Sequence, residues 1–168
     1  MKLLHLQRKR YMNKVEDCLF CKITAGEIPC HKVYEDEKHL AFLTIFPNTK
    51  GATVVITKEH HGSSAFEQSD AVLQDLIVAT KNTANILKNY FSDVGRCGMV
   101  FEGFGVDHLH AKLYPLHGTN IPEWKPIESG RKKDYYELYP GYVCSNDSEL
   151  ANQDELAELA ADIRESQK

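Results

Sequence analysis

No apolar run in this 168-residue chain is long enough to cross a bilayer, which takes about 20 predominantly apolar residues. Excess positive charge is also missing. Twenty Lys and Arg stand against 24 Asp and Glu, a net charge of −4 that leaves no electrostatic footprint for nucleic acid. The N-terminus carries Lys2, Arg8, Lys9, Arg10 and Lys14, but no apolar core or small-residue cleavage site, so it does not read as a secretory signal. Residues 1–14 are expected to form a mobile basic arm. The five cysteines are odd in number and scattered, which suits a reducing cytoplasm better than a disulfide framework. A chain of this length reads as one domain that buries roughly two-thirds of its unfolded surface.

The stretch with most chemistry in it is Val106-Asp107-His108-Leu109-His110-Ala111-Lys112-Leu113-Tyr114-Pro115. Ionisable residues at 108, 110 and 112 alternate with Leu109, Ala111 and Leu113. Such alternation predicts a β-strand over His108–Tyr114, with His108, His110 and Lys112 on one face at spacings of about 7 Å. Two imidazoles and an ammonium in a row favour anions and can supply a nucleophile. The plainer alternative is the wet face of a half-exposed strand. Tyr114-Pro115 is expected to end the strand, and Gly103-Phe104-Gly105 upstream lets backbone approach a ligand closely.

Around this stretch, strands are expected at His31–Glu35, Leu40–Ile45, Thr53–Lys58 and Gly98–Glu102, with Glu35–Lys38 a hairpin turn. Residues 22–27 read as a helical turn closed by Gly26 and Pro29, and 64–70 as a short helix or turn. Over 70–91, Val72, Leu73, Leu76, Ile77, Ala84, Leu87 and Tyr90–Phe91 recur at helical spacing behind Ser69 as N-cap. The sum is an α+β domain in which one long helix crosses a five-strand antiparallel meander. Residues 119–148 hold Trp124, Tyr135, Tyr136, Tyr139 and Tyr142, a density expected to pack on the domain or a partner subunit. Arg131-Lys132-Lys133 reads as a solvated surface run or a polyphosphate contact. Asn152–Glu165 then reads as a short amphipathic helix with Leu156, Leu159, Ala160 and Ile163 as its stripe.

Cys18-x-x-Cys21 has the spacing of half a tetrahedral zinc site, with His60 or His61 and His108 available as the second pair. The alternatives are a redox dithiol and two unrelated cysteines. A redox pair belongs between a strand and a helix, whereas Cys18 follows a charged leader.

With these residues in view, the chain resembles the histidine triad (HIT) family of nucleotide hydrolases and transferases, whose signature Val-x-His-x-His-x-His-x-x-Pro is matched by residues 106–115 with Lys112 at the third histidine. The likeness continues in order through Cys18-Leu19-Phe20-Cys21-Lys22-Ile23, Gly26-Glu27-Ile28-Pro29, Val33-Tyr34-Glu35-Asp36, Phe42–Pro47, Lys50-Gly51 and Val55–His60. It covers roughly residues 16–118, several spaced motifs being more specific than one.

The resemblance implies a HIT-like α+β fold: a five-stranded antiparallel sheet with one long helix, in a domain at 15–118. Residues 119–168 would add a short helical, aromatic-rich C-terminal extension. It implies that His110 attacks the α-phosphorus of a purine nucleotide, flanked by His108 and Lys112, and forms a nucleotidyl-histidine that water or another acceptor resolves. Adenosine phosphoramidate or a dinucleoside polyphosphate is the expected substrate. Phe104 and Gly105 stand where the family has Gln and Ser or Thr near the phosphate, and Thr44 where it has the acid that binds ribose. Phe20, Ile23, Leu43 and Ile45 would line the base pocket. A structural zinc would be held by Cys18, Cys21, His60 and His108, and two copies would form a homodimer. The departures at 44, 104, 105 and 112 leave two alternatives: a nucleotide-binding module with little catalysis, and a zinc-stapled protein-interaction scaffold.

Overall fold

The structure, a computed structural model, describes residues 15–126 and 150–167. The basic arm at 1–14, Arg131-Lys132-Lys133 and the four tyrosines at 135–142 lie outside the described residues. In chain order the elements are α1 (Leu19–Thr24), β1 (His31–Glu35), β2 (His39–Leu43), β3 (Thr53–Thr57), a 3-10 turn at Ala65–Glu67, α2 (Asp70–Tyr90), β4 (Arg96–Val100), β5 (His110–Leu116) and α3 (Gln153–Glu165).

All sheet pairings are antiparallel and the strand order is β1-β2-β3-β5-β4, so the sheet is not the expected meander. With β5 between them, β3 and β4 run parallel. Parallel strands need a long crossover, and α2 supplies it. The β1–β2 turn is held by Asp36, whose Oδ1 accepts from the amides of Lys38 at 2.8 Å and His39 at 2.7 Å.

β2 and β3 read HLAFL and TVVIT and are buried throughout, because both sheet faces are covered. On one face Ala41, Leu43, Val55, Ala111 and Leu113 pack under Leu76, Ala79 and Leu87 of α2. On the other, Leu40, Phe42, Val54 and Ile56 meet Cys18 and Phe20 from the N-terminal segment. Ser69 caps α2 as expected, accepting from the Val72 amide. Ile77, placed in the apolar stripe by spacing, is exposed; the buried stripe instead includes Thr80 and Thr83. Their hydroxyls donate to the carbonyls of Leu76 and Ala79 one turn back, so they enter the core satisfied.

Asn152 caps α3 through its side-chain oxygen, and Leu156, Ala160 and Ile163 bury against the helix-covered face. Side chains near the end of α3 close the outer edge of β1: Arg164 donates to the Lys32 carbonyl and Gln167 to that of Val33. Trp124, at the start of the aromatic-rich extension, is 71% exposed in the single chain.

Two boundaries differ where the site is built. β5 starts at His110, leaving His108 in the turn before it, and continues through Pro115 to Leu116. Pro115 is tolerated because the β3 ladder stops at Thr53–Leu113, so on that side no partner strand is left to receive its missing N–H.

Candidate active site and metal cluster

His108 and His110 are buried, His110 being only 3% exposed, which excludes the wet-face reading of the alternation. Phe20 covers both, its ring edge-on to His108 at 5.7 Å and to His110 at 5.3 Å between centroids. The register places His110 level with Ile56, and Lys112 level with Val54, on the face that α1 covers.

The cysteine pair sits at the start of α1. Cys18 is its N-cap and Cys21 lies three residues on, a spacing that turns both sulfurs to one side. His60 comes from the loop after β3 and His108 from the turn before β5. One ligating atom from each of Cys18, Cys21, His60 and His108 lies within 4.8 Å of the others. His108 Nδ1 is 3.4 Å from Cys18 Sγ and 3.6 Å from Cys21 Sγ, and His60 Nδ1 is 3.3 Å from Cys21 Sγ. Ligand–metal bonds of 2.0–2.3 Å around a tetrahedral zinc set neighbouring donors about 3.6 Å apart, so these separations fit a closed four-ligand site.

Hydrogen bonding fixes the chemistry of each donor. His108 Nε2–H donates to the Thr57 carbonyl at 2.7 Å, which leaves the Nδ1 lone pair toward the sulfurs. Burial pushes His108 down to about 4, only partly offset by that carbonyl, and nearby His60 lowers it further. The ring is therefore neutral at pH 7, as a metal ligand must be. Burial, with the adjacent Cys18 thiol, pushes Cys21 up to about 11. Two thiolates here need a cation to form. His61 stays outside the donor cluster; its carbonyl instead accepts from the Leu109 amide at 2.8 Å.

His110 donates from Nδ1 to the His108 carbonyl at 2.7 Å. The opposite nitrogen, Nε2, then carries the lone pair. Burial lowers the basicity of the ring; the carbonyl bond works against this, Lys112 adds to it, and Glu102 opposes it. The outcome is a neutral, oriented imidazole. Lys112 Nζ pairs with Glu102 Oε2 at 3.0 Å.

The base-pocket candidates separate. Phe20 and Ile23 lie on the site face, with Phe42 beside Phe20 at 5.9 Å. Leu43 points into the helix-side core, the opposite face, because odd and even residues of β2 alternate. Ile45 is exposed beyond the strand. Thr44 Oγ1 accepts from the Phe46 amide at 3.2 Å. Gly105 holds a φ of +91° in open space, and Phe104 is exposed.

Three contributors escaped sequence reasoning. Thr57 orients His108 through a backbone atom, which no side-chain pattern announces. Asp107 ties the His60 loop to the turn before β5, its Oδ1 accepting from Ser63 N at 3.1 Å and Ser63 Oγ at 3.2 Å. Glu102, expected as the last residue of a strand, lies just beyond β4, and nothing in its spacing pointed to Lys112.

A family model described as the HIT domain matches residues 25–118. The chain is 38% identical over 129 residues to "Protein hit" of Bacillus subtilis, a match spanning 68% of this chain and 88% of that protein. It is 38% identical over 102 residues to the adenosine 5'-monophosphoramidase hnt1 of Schizosaccharomyces pombe, spanning 58% of this chain and 73% of that one. In structure it is similar to a Zn-bound histidine triad family protein from Mycobacterium smegmatis, with a TM-score of 0.54 and 19% identity over 90% of this chain and 94% of that chain, a likeness of fold. The matched span runs from β1 through β5 and includes His60, His108 and His110; by that match the chain belongs to the HIT domain family.

Proposed function

We propose that this chain is a nucleotide hydrolase or nucleotidyl transferase that attacks the α-phosphate of a nucleoside phosphoramidate or dinucleoside polyphosphate through His110. One observation carries the reading: His110 Nδ1 is committed to the His108 carbonyl at 2.7 Å, so its nucleophilic nitrogen is Nε2. In the first step the Nε2 lone pair forms an N–P bond as the bond from phosphorus to the leaving amine or phosphate breaks, and the leaving group carries away that electron pair and takes up a proton. In the second, water forms a P–O bond, gives up a proton and expels His110 with its electron pair, releasing the nucleoside monophosphate. Lys112, on the same strand face, stands where the family signature has its third histidine and meets the phosphoryl oxygens as a point charge. The phosphoramidase activity of the fission-yeast relative supports the phosphoramidate as substrate.

The metal in this reading is zinc, held by Cys18, Cys21, His60 and His108. When bound it supplies a closed staple between α1, the β3 loop and the turn before β5. The homodimer and the cytoplasmic setting belong to the same reading. α3 already covers the β1 edge, which leaves β4 as the open edge strand for a second copy, and the odd, scattered cysteines suit a reducing compartment.

A second reading is a nucleotide-binding module with little turnover. The Lys112–Glu102 pair favours it, because the ammonium already has an anionic partner. Incubation with adenosine phosphoramidate labelled at the α-phosphorus, followed by a rapid quench, separates the two. The enzyme reading expects label on His110 and loss of both label and turnover in His110→Ala. Turnover surviving in His110→Ala refutes the assigned role, and nucleotide binding without adduct or turnover leaves the second reading standing.

A further inference from the structure

A buried carboxylate stands beside the candidate nucleophile. β4 and β5 pair Val100 with Lys112 at the end of their ladder, and Glu102 lies two residues beyond that end, with its side chain reaching Lys112. The Glu102 side chain is 8% exposed, and its Oε2 lies 3.0 Å from Lys112 Nζ. The two charges act on the His110 ring in opposite senses. His110 and Lys112 on one strand face and Glu102 from the segment after β4 thus bring together an imidazole, an ammonium and a carboxylate.

We propose that Glu102 is a positioning residue that holds the Lys112 ammonium beside His110 and, by its own charge, weakens ground-state binding of the anionic nucleotide. The inference rests on the nucleotide reading above. A lysine is a flexible point charge with three donors and no fixed direction, unlike a planar imidazole. Replacing a rigid ring by this side chain needs something to fix where the charge sits, and a carboxylate 3.0 Å away does that. The three donors let Lys112 keep Glu102 while giving a further hydrogen bond to a phosphoryl oxygen. Meanwhile the pair is neutral as a unit, so it adds little attraction for a bound substrate or for the nucleoside monophosphate product. Interactions that strengthen only as charge shifts during transfer raise kcat, whereas uniform attraction for the anion only tightens binding.

The plain alternative is that the pair merely closes the end of the β4–β5 ladder. The backbone just past Glu102 runs close to the His60 loop: Gly103 sits at a φ of +72°, and a Cβ there would lie 3.1 Å from the Ser63 carbonyl oxygen. Glu102→Gln keeps the side chain's length and a hydrogen-bonding end while removing the charge, and Tm reports any loss of the ladder.

The test compares wild type, Glu102→Gln and Glu102→Asp as the full-length, metal-loaded chain. It measures AMP affinity by calorimetry, kcat and KM with adenosine phosphoramidate, and Tm. Glu102→Gln is expected to bind AMP at least about threefold more tightly while kcat falls at least about tenfold, a split that uniform loss of fold does not produce. Glu102→Asp keeps the charge on a shorter arm, so AMP affinity returns to the wild-type value and kcat recovers in part. Weaker AMP binding in Glu102→Gln, or kcat and AMP affinity unchanged, overturns the proposal alone. A proportional fall in both that tracks Tm assigns the pair a structural role and also overturns it. If the wild type binds AMP without turnover, the affinity arm still decides: tightening supports Glu102, and its absence refutes it. A wild type that neither binds AMP nor turns over overturns this proposal together with the nucleotide reading.

Discussion

Cys18→Ala should remove a large, metal-linked stabilisation while costing the metal-free protein little. Three of the donor separations already measure 3.3–3.6 Å and all lie within 4.8 Å, the His108 ring is held by Thr57, and His60 and His108 come from chain segments that the Ser63–Asp107 hydrogen bonds tie together. Binding of the proposed zinc would therefore cost little reorganisation, and the site is expected to fill at modest free zinc. At a free concentration about 1,000 times the dissociation constant, linkage stabilises the native state by about 4 kcal/mol. For a chain of this size each kcal/mol moves Tm by about 2–4 °C, so the metal contributes about 8–16 °C. Cys18 itself is small and buried, and its loss to alanine costs the metal-free chain about 1 kcal/mol or less. The assay is a two-by-two comparison: wild type and Cys18→Ala, each with zinc and with a chelator, scored by Tm and by metal content. The wild type should hold one zinc per chain and lose the full increment to the chelator. The variant should hold none and melt within about 2–4 °C of the chelated wild type under both conditions. Equal, near-zero zinc in both proteins refutes the site. A Tm deficit in the variant that persists undiminished when both are chelated shows that Cys18 acts by packing and not through a metal.

Two further predictions concern the scaffold. Gly51 sits at a φ of +80°, and a Cβ there would lie 2.6 Å from Phe91 Cε2 and 2.9 Å from Cζ, so Gly51→Ala combines left-handed backbone strain with overpacking and should cost about 2–4 kcal/mol in urea unfolding. A loss below about 0.5 kcal/mol refutes the geometry. Burial alone would raise Asp36, yet hydrogen bonds from Tyr34 and from the Lys38 and His39 amides hold its carboxyl below the usual range. A group lowered in the folded state contributes stability that is present above its unfolded value of about 3.9 and is lost as pH falls through the folded value. The stability gap between wild type and Asp36→Asn should thus be full near about pH 6 and shrink below about pH 4, and a gap constant across that window contradicts it.

What was legible in the sequence follows from physics that acts locally. The α2 cap at Ser69, the β1 boundaries and the α3 stripe depend on near neighbours, and they appear where the pattern places them. The strand order was not legible, since it depends on which edge the crossover reaches after 21 helical residues. Leu43, expected beside Phe20 and Ile23, lies on the opposite face for a related reason. Both faces of β2 are buried, so its sequence carries no alternation to say which residues face α1 and which face α2. Glu102 escaped because its partner is ten residues away across a turn, and a single acid at the end of an expected strand looks like any solvated carboxylate until its partner is known.

The boundary that the alternation misplaced is the one the chemistry depends on. His-x-His-x-Lys suggested a strand from His108 onward with three equivalent side chains in a row. The β3–β5 ladder in fact ends at the Ile56–His110 pair, and the chain turns at 106–108, where the His108 amide donates to the Val106 carbonyl. Inside a ladder the carbonyl of 108 would be directed at a neighbouring strand. Just outside it, the same carbonyl reaches the Nδ1 of His110. The residue left out of the strand is thus held at three points at once: its Nδ1 faces two sulfurs, its Nε2 donates to Thr57, and its backbone oxygen sets the tautomer of His110, the proposed nucleophile. A metal held at the first point would fix the third, so the cysteine pair and His110 are mechanically linked through one residue. Chelation should then lower kcat in the folded, chelated wild type as well as Tm, and His110 labelling should fall with it. A chelated protein that stays folded and labels at the wild-type rate would show that Thr57 alone suffices to hold His108.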